Sequence, residues 1–218
     1  MALFCVALDI DNREKFDFIL AETISFVDVY KVGPIIMSSS CGLISLETLT
    51  QLRKDIFVDM KFFDIPSVVC RAIRNFCRFN SKFFTVHISA GEKVFRSAVE
   101  EANKFGANIA GVTLLTSSEY DEGVILNMSE KAKLWGASWI VCPPLFARKI
   151  KENLGMKIIS PGIRLDENEK DDHSLSLTPR EAAKHGVDMI VVGRPVILSE
   201  NPKLVAQKIR NEIQHKEL

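Results

Sequence analysis

Neither sign of charge is in excess: 28 Lys and Arg residues balance 28 Asp and Glu, and the formal net charge is zero. That argues against nucleic acid as the main partner, although a local basic patch can still hold one phosphate. So little self-repulsion also makes association between copies easy. No apolar run is long enough to span a membrane, so no membrane partner is expected. The apolar opening from Met1 to Asp9 is short and lacks a basic lead, and it reads as a strand rather than a signal peptide. The five cysteines (Cys5, Cys41, Cys70, Cys77 and Cys142) are odd in number, and none forms a C-x-x-C pair. A disulfide framework or zinc site is not expected; reduced core thiols in a cytoplasmic protein are. Cys70 and Cys77 are seven positions apart, which predicts core packing along one helix. There is no linker, no low-complexity segment, no redox motif and no metal cage. One domain over residues 1–218 is expected, working with side chains alone: no metal, no cofactor.

What is present is a repeated alternation of strand and helix. Short β-like runs fall at Leu3–Asp9, Val27–Gly33, Asp55–Lys61, Phe83–Ile88, Asn108–Leu114, Ser138–Cys142, Lys157–Pro161 and Asp188–Gly193. Between them lie helical stripes such as Val69, Ile73 and Phe76, or Val94, Ala98, Ala102 and Phe105. Thr178-Pro179-Arg180-Glu181 has the form of a capping box with proline at the first helical position. Asn201-Pro202 opens a last helix with Val205, Ile209 and Ile213 on one face. Such alternation implies parallel strands with right-handed crossovers. No Gly-rich dinucleotide loop follows the first run, which weighs against an open doubly wound sheet. An α/β fold of the (β/α)8 TIM barrel type is predicted. In the first strand Cys5, Ala7 and Asp9 would point inward, and Phe4, Val6 and Leu8 toward the helices. The longest irregular stretch, Arg164 to Leu177, is predicted to be a loop after the seventh strand.

The most informative segment is Val58-Asp59-Met60-Lys61-Phe62-Phe63-Asp64-Ile65-Pro66. Residues two apart in a strand share a face, so Asp59 and Lys61 lie together, opposite Val58 and Met60. A charged face on an apolar strand is costly unless the charges are paired or used. In a barrel of this type function gathers at the carboxyl ends of the strands. Asp9, Lys31, Asp59, Lys61, His87 and Thr116 all fall at or just past predicted strand ends. Each also has a plainer reading: Asp9 as a helix cap, Lys31 as a rim lysine, Asp59 and Lys61 as a structural ion pair, Asp64 as a turn residue, His87 as a core or rim histidine. The joint placement of Asp9, Lys31, the Asp59 and Lys61 pair, and Asp64 on one predicted face favours function, whereas for His87 the plainer reading is preferred.

A second cluster is Pro161-Gly162-Ile163-Arg164 and Gly193-Arg194-Pro195, after the seventh and eighth runs. Those loops commonly bind phosphate in this fold. Glycine admits backbone N–H groups to an anion, and arginine offers a planar fork of donors. The expected ligand is a small molecule whose phosphate meets Arg164 and Arg194, and whose other end lies over Lys31, Asp59, Lys61 and Asp64. Carboxylates beside lysines favour the ammonium form. An ammonium is a poor nucleophile but a good proton donor and a good partner for a developing carbanion. Proton delivery to carbon is therefore favoured over covalent catalysis.

At these residues the chain resembles the orotidine 5′-phosphate decarboxylase family. The resemblance rests on Asp-x-Lys-x-x-Asp-Ile-Pro at Asp59–Pro66, with Ala7-Leu8-Asp9, Lys31-Val32-Gly33, Val86-His87, Val112 to Ser117, Ser160 to Arg164 and Val192 to Pro195. These occur in the family's order over nearly the whole chain. The resemblance implies a homodimeric barrel that converts orotidine 5′-phosphate to UMP and carbon dioxide without a cofactor, in pyrimidine biosynthesis. By the same resemblance Lys31, Asp59, Lys61 and Asp64 form the charged array, with Asp64 reaching into the partner subunit's site beside Ile65. Lys61 would protonate the C6 carbanion, with Asp59 near the departing carboxylate. Asp9 and Lys31 would hold ribose hydroxyls, Thr116 would lie near the pyrimidine, and Arg164, Gly193 and Arg194 would hold phosphate.

Two positions depart from the family pattern. Val68 stands where threonine is frequent, which removes a hydroxyl contact, and His173 stands where glutamine is frequent in the phosphate loop. A lost neutral hydrogen bond costs about 0.5–1.5 kcal/mol, roughly a tenfold loss of affinity at most. Two other functions compete. A magnesium-dependent sugar-phosphate decarboxylase would share the Asp-x-Lys-x-x-Asp core, but Ile65-Pro66 counts against it. A non-catalytic nucleotide sensor would bind UMP without turnover, but the intact Asp59, Lys61 and Asp64 set counts against that.

Overall fold

The computed structural model describes residues 1–114, 121–165 and 177–214. Eight parallel strands close into a barrel in sequence order. They are β1 (Leu3–Ala7), β2 (Val29–Val32), β3 (Asp55–Phe62), β4 (Ser81–His87), β5 (Asn108–Val112), β6 (Trp139–Val141), β7 (Lys157–Ser160) and β8 (Met189–Val192). Closure is made by β1 pairing with β8, with Cys5 opposite Val191. The predicted runs and these strands coincide, and most strands stop one or two residues earlier than predicted. Asp9, Gly33, Leu114, Pro161 and Gly193 thus fall in loops at the carboxyl ends.

Side-chain parity divides the core in two. Cys5, Ala7, Val29, Phe57, Phe83, Ala110, Trp139, Ile159, Met189 and Val191 fill the barrel interior. Phe4, Val6, Leu8, Ile56, Val58, Phe84, Val86 and the apolar faces of the helices form the layer outside it. The inward placing of Cys5 and Ala7 is as predicted for the first strand. It does not hold all round, because Phe57, Phe83 and Trp139 also point in and stack edge to face. Small side chains from β1 and β5 leave the room these rings occupy.

The connecting helices begin where the local chemistry dictates. Asn12 accepts from the backbone of Lys15 to start Arg13–Thr23, and Asp121 accepts from Val124 to start Glu122–Leu134. The capping box before Pro179–Lys184 is present, with Thr178 and Glu181 bonded reciprocally. Pro202–Gln214 buries Ala206, Ile209 and Ile213. Short helices at Pro34–Ser38 and Arg194–Ile197, directly after β2 and β8, have no counterpart in the sequence periodicity. They are too short to show one. All five cysteines are free thiols, and Cys77 lies one residue past the helix Pro66–Phe76 rather than within it. Among the described residues no helix is long and apolar enough to cross a membrane.

Candidate active site

The carboxyl ends of the strands enclose a cavity of about 230 Å³. Asp9, Lys31, Asp59 and Lys61 line it, and so do Gly162, Arg164, Gly193 and Arg194. Apolar walls come from Phe57, Val112, Leu114, Val141, Ile159 and Val191. A lining that joins carboxylates, ammonium groups, guanidinium groups and apolar walls suits a small anionic ligand with an apolar part.

The carboxylates and ammonium groups are arranged around Asp59. Lys61 Nζ lies 3.0 Å from both of its carboxylate oxygens. Lys31 Nζ lies 3.2 Å from Asp59 Oδ2 and 3.4 Å from Asp9 Oδ1. Asp9, Lys31, Asp59 and Lys61 thus form a neutral row of two carboxylates and two ammonium groups. Asp59 and Lys31 are buried, whereas Asp9 and Lys61 are open to the cavity. Burial opposes the charge on Asp59, but Lys31 and then Lys61 outweigh it, with help from the hydrogen bonds of Lys61 and Thr85, and hold its carboxyl below the usual range. Burial likewise opposes the charge on Lys31, and Asp59 and then Asp9 outweigh it, so its ammonium persists to higher pH than usual.

The sign of the resulting pH dependence follows. Asp59 titrates lower in the folded protein than its ordinary value of 3.8, so its stabilisation is complete above that pH and fades as pH falls below it. Lys31 titrates above its ordinary 10.5, so its share is complete below that pH and fades as pH rises through the higher folded value. The stability gap between wild type and Asp59→Asn is therefore expected to narrow from pH 7 to pH 3, as urea unfolding would measure. A constant gap would contradict the charged state assigned to Asp59.

Local backbone geometry aims Lys61. Val58 pairs with Phe84 but Phe62 pairs with Val86, so Asp59, Met60 and Lys61 stand against Thr85 alone. This bulge puts Lys61 at φ 44°, a left-handed conformation unusual for lysine. Such a position costs on the order of 1–3 kcal/mol and persists only where the surroundings hold it. Thr85 is the residue that sequence reasoning missed. Its Oγ1 accepts from the Lys61 backbone N–H at 2.8 Å and lies 2.9 Å from Asp59 Oδ1. The signal was a polar residue at an inward-facing position, two after the inward Phe83.

In the loop after β7, Gly162 has φ 79°, which favours glycine there. Arg164 is buried, and its Nη1 donates to the Ile163 carbonyl at 3.0 Å. The segment's two ends meet: Ile163 bridges to Leu177, and Arg164 N donates to the Leu177 carbonyl at 3.0 Å. Gly193 packs close to the first strand, since a Cβ there would lie 3.5 Å from Ala7 Cβ and 3.9 Å from Asp9 Oδ2.

The structure decides several alternatives. Asp9 is not a helix cap, because Asn12 takes that role. Lys31 does not snorkel to solvent; it is buried against two carboxylates. His87 does not line the cavity; it accepts from Ser89 N at 3.3 Å and packs edge to face on Phe63. Burial, and then Lys61, push its imidazole toward the neutral form. Asp64, Ile65 and Val68 are exposed and do not line the cavity of their own chain, and Asp64 Oδ1 accepts from Ile65 N. Thr116 and His173 lie outside the described residues, as does most of the loop expected between Arg164 and Leu177. Among the described residues no three His, Cys, Asp or Glu side chains converge to hold a metal ion.

Comparison with known proteins gives consistent results. Residues 2–209 match the profile of a family described as "Orotidine 5'-phosphate decarboxylase / HUMPS family". The orotidine 5′-phosphate decarboxylase of Lactobacillus acidophilus is 33% identical over 228 aligned positions, covering 95% of this chain and 97% of the relative. That of Syntrophomonas wolfei is 32% identical, covering 96% of each. The crystal structure of the Lactobacillus acidophilus enzyme superposes with a TM-score of 0.82 at 29% identity, covering 99% of this chain and 100% of that one. An uncharacterized conserved protein from Geobacillus kaustophilus shares the fold, with a TM-score of 0.80 at 23% identity.

Proposed function

Because the chain belongs to the orotidine 5′-phosphate decarboxylase / HUMPS family, we propose that it decarboxylates orotidine 5′-phosphate to UMP in pyrimidine biosynthesis. The observation that carries the reading is one cavity lined both by the Asp9–Lys31–Asp59–Lys61 row and by Gly162, Arg164, Gly193 and Arg194. The phosphate lies against the arginines and the backbone of Gly193. The ribose hydroxyls meet Asp9 and Lys31, and the pyrimidine lies against the apolar walls with C6 toward Lys61.

When the bond from C6 to the carboxylate carbon breaks, its electron pair stays on C6 and carbon dioxide departs. Lys61 Nζ then gives one proton to C6 and recovers one from solvent. One proton is consumed per turnover, and no electron leaves the substrate. A neighbouring ammonium stabilises the carbanion as it forms, and Asp59 holds that ammonium in place beforehand, so little reorganisation is needed during the reaction. No metal or cofactor is required by this scheme.

Asp64 enters by association. Phe63, Ile65 and Val68 beside it are 65%, 61% and 45% exposed, an apolar rim next to an acid that serves nothing in its own chain's cavity. A second copy covering this rim buries it and carries Asp64 to the neighbouring site, where it joins the row. Val68 offers that site a methyl contact in place of a hydroxyl.

The test is loss of orotidine 5′-phosphate absorbance with purified protein in EDTA. Steady turnover is expected. No turnover would reject the assignment, and UMP binding without turnover would point to a sensor.

A further inference from the structure

We propose that Thr85 is a positioning residue, whose single hydroxyl locks the Asp59 carboxylate and the Lys61 backbone into the arrangement that points Lys61 Nζ at the reacting carbon. This rests on the decarboxylase reading above and deepens it.

The directions of both hydrogen bonds are forced. A backbone N–H only donates, so Thr85 Oγ1 accepts from Lys61 at 2.8 Å. A carboxylate only accepts, so the hydroxyl proton goes to Asp59 Oδ1 at 2.9 Å. One side chain thus satisfies an acid and the amide of a lysine two residues later. Thr85 is fully buried, so water is not at hand to take over either bond. It is also the only β4 residue opposite the bulge, and therefore placed to hold Lys61 in its left-handed conformation. Asp59 needs the same anchor. Lys31 and Lys61 pull on it from separate sites, and a hydroxyl bond fixes which rotamer serves both. Without the Thr85 hydroxyl the Lys61 amide loses this partner, which favours relaxation of the bulge and displacement of Nζ.

Thr85→Val keeps shape and removes the hydroxyl. With orotidine 5′-phosphate as substrate, kcat is expected to fall by roughly 10²-fold, the usual consequence of misplacing a reacting group by about 1 Å. The dissociation constant for UMP is expected to stay within about threefold, because the phosphate and ribose contacts are elsewhere. Thr85→Ser restores the hydroxyl and is expected to recover most of kcat. Active-site titration with UMP counts folded sites, so kcat is expressed per competent site. Should Thr85→Val not fold, Thr85→Cys, compared with Thr85→Ser because both lack the γ-methyl, weakens the hydrogen bonds and is read in the same way. Wild-type kcat per site in the valine variant would overturn the proposal. So would equal impairment of the serine and valine variants, or a loss that disappears once sites are counted. An inactive wild type would instead strike at the decarboxylase assignment itself.

Discussion

Lys61→Ala is expected to abolish product formation while UMP binding remains measurable. Removing a general acid typically costs about 10²–10⁴-fold, and removing an electrostatic stabiliser of the developing charge about 10²–10³-fold. Lys61 is assigned both tasks, so kcat/KM is expected to fall by roughly 10⁴-fold or more. The fold should survive. Asp59 keeps Lys31 at 3.2 Å and the Thr85 hydroxyl at 2.9 Å, so no buried carboxylate is left without a partner. UMP still has the arginines of the cavity, and its affinity should change by less than about tenfold, the size of a lost hydrogen bond or two. Absorbance assays and calorimetric titration of the same sample make the comparison. Retained turnover would end the proton-donor role of Lys61. Loss of both activities together would show that Lys61 mainly binds the ligand.

Mixing Lys61→Ala and Asp64→Ala subunits is expected to restore activity that neither variant has alone. If Asp64 serves the partner's site, each mixed dimer has one site lacking both groups and one with both intact. Half of randomly reassorted dimers are mixed, so about one quarter of wild-type activity should return, as follows from a symmetric two-fold interface. Under that proposal the exposed apolar side chains of Phe63, Ile65 and Val68 would supply the surface for that contact. Co-refolding at equal ratio followed by the absorbance assay gives the measurement. A mixture no more active than its two components would place Asp64 in its own chain's chemistry, or in none.

Local pattern was enough for much of this molecule. Alternation by two in Cys5–Ala7 against Phe4–Val6 and in Asp59–Lys61 against Val58–Met60 determines which face each side chain takes, because a strand turns by half a revolution per residue. Caps and prolines likewise mark the starts of helices from neighbours in sequence, as at Thr178–Pro179 and Asn201–Pro202. Strand count and alternation with helices then pointed to the barrel. Only the tertiary structure could decide whether Asp9 caps a helix or faces Lys31, since both readings use the same residue at the same strand end. The sharing of Asp59 by two lysines, the left-handed turn at Lys61 and the role of Thr85 were also beyond local reading. Thr85 meets Asp59 across 26 positions of sequence. Pattern within one strand encodes the face a residue takes, but register and bulge against the next strand decide which atoms meet.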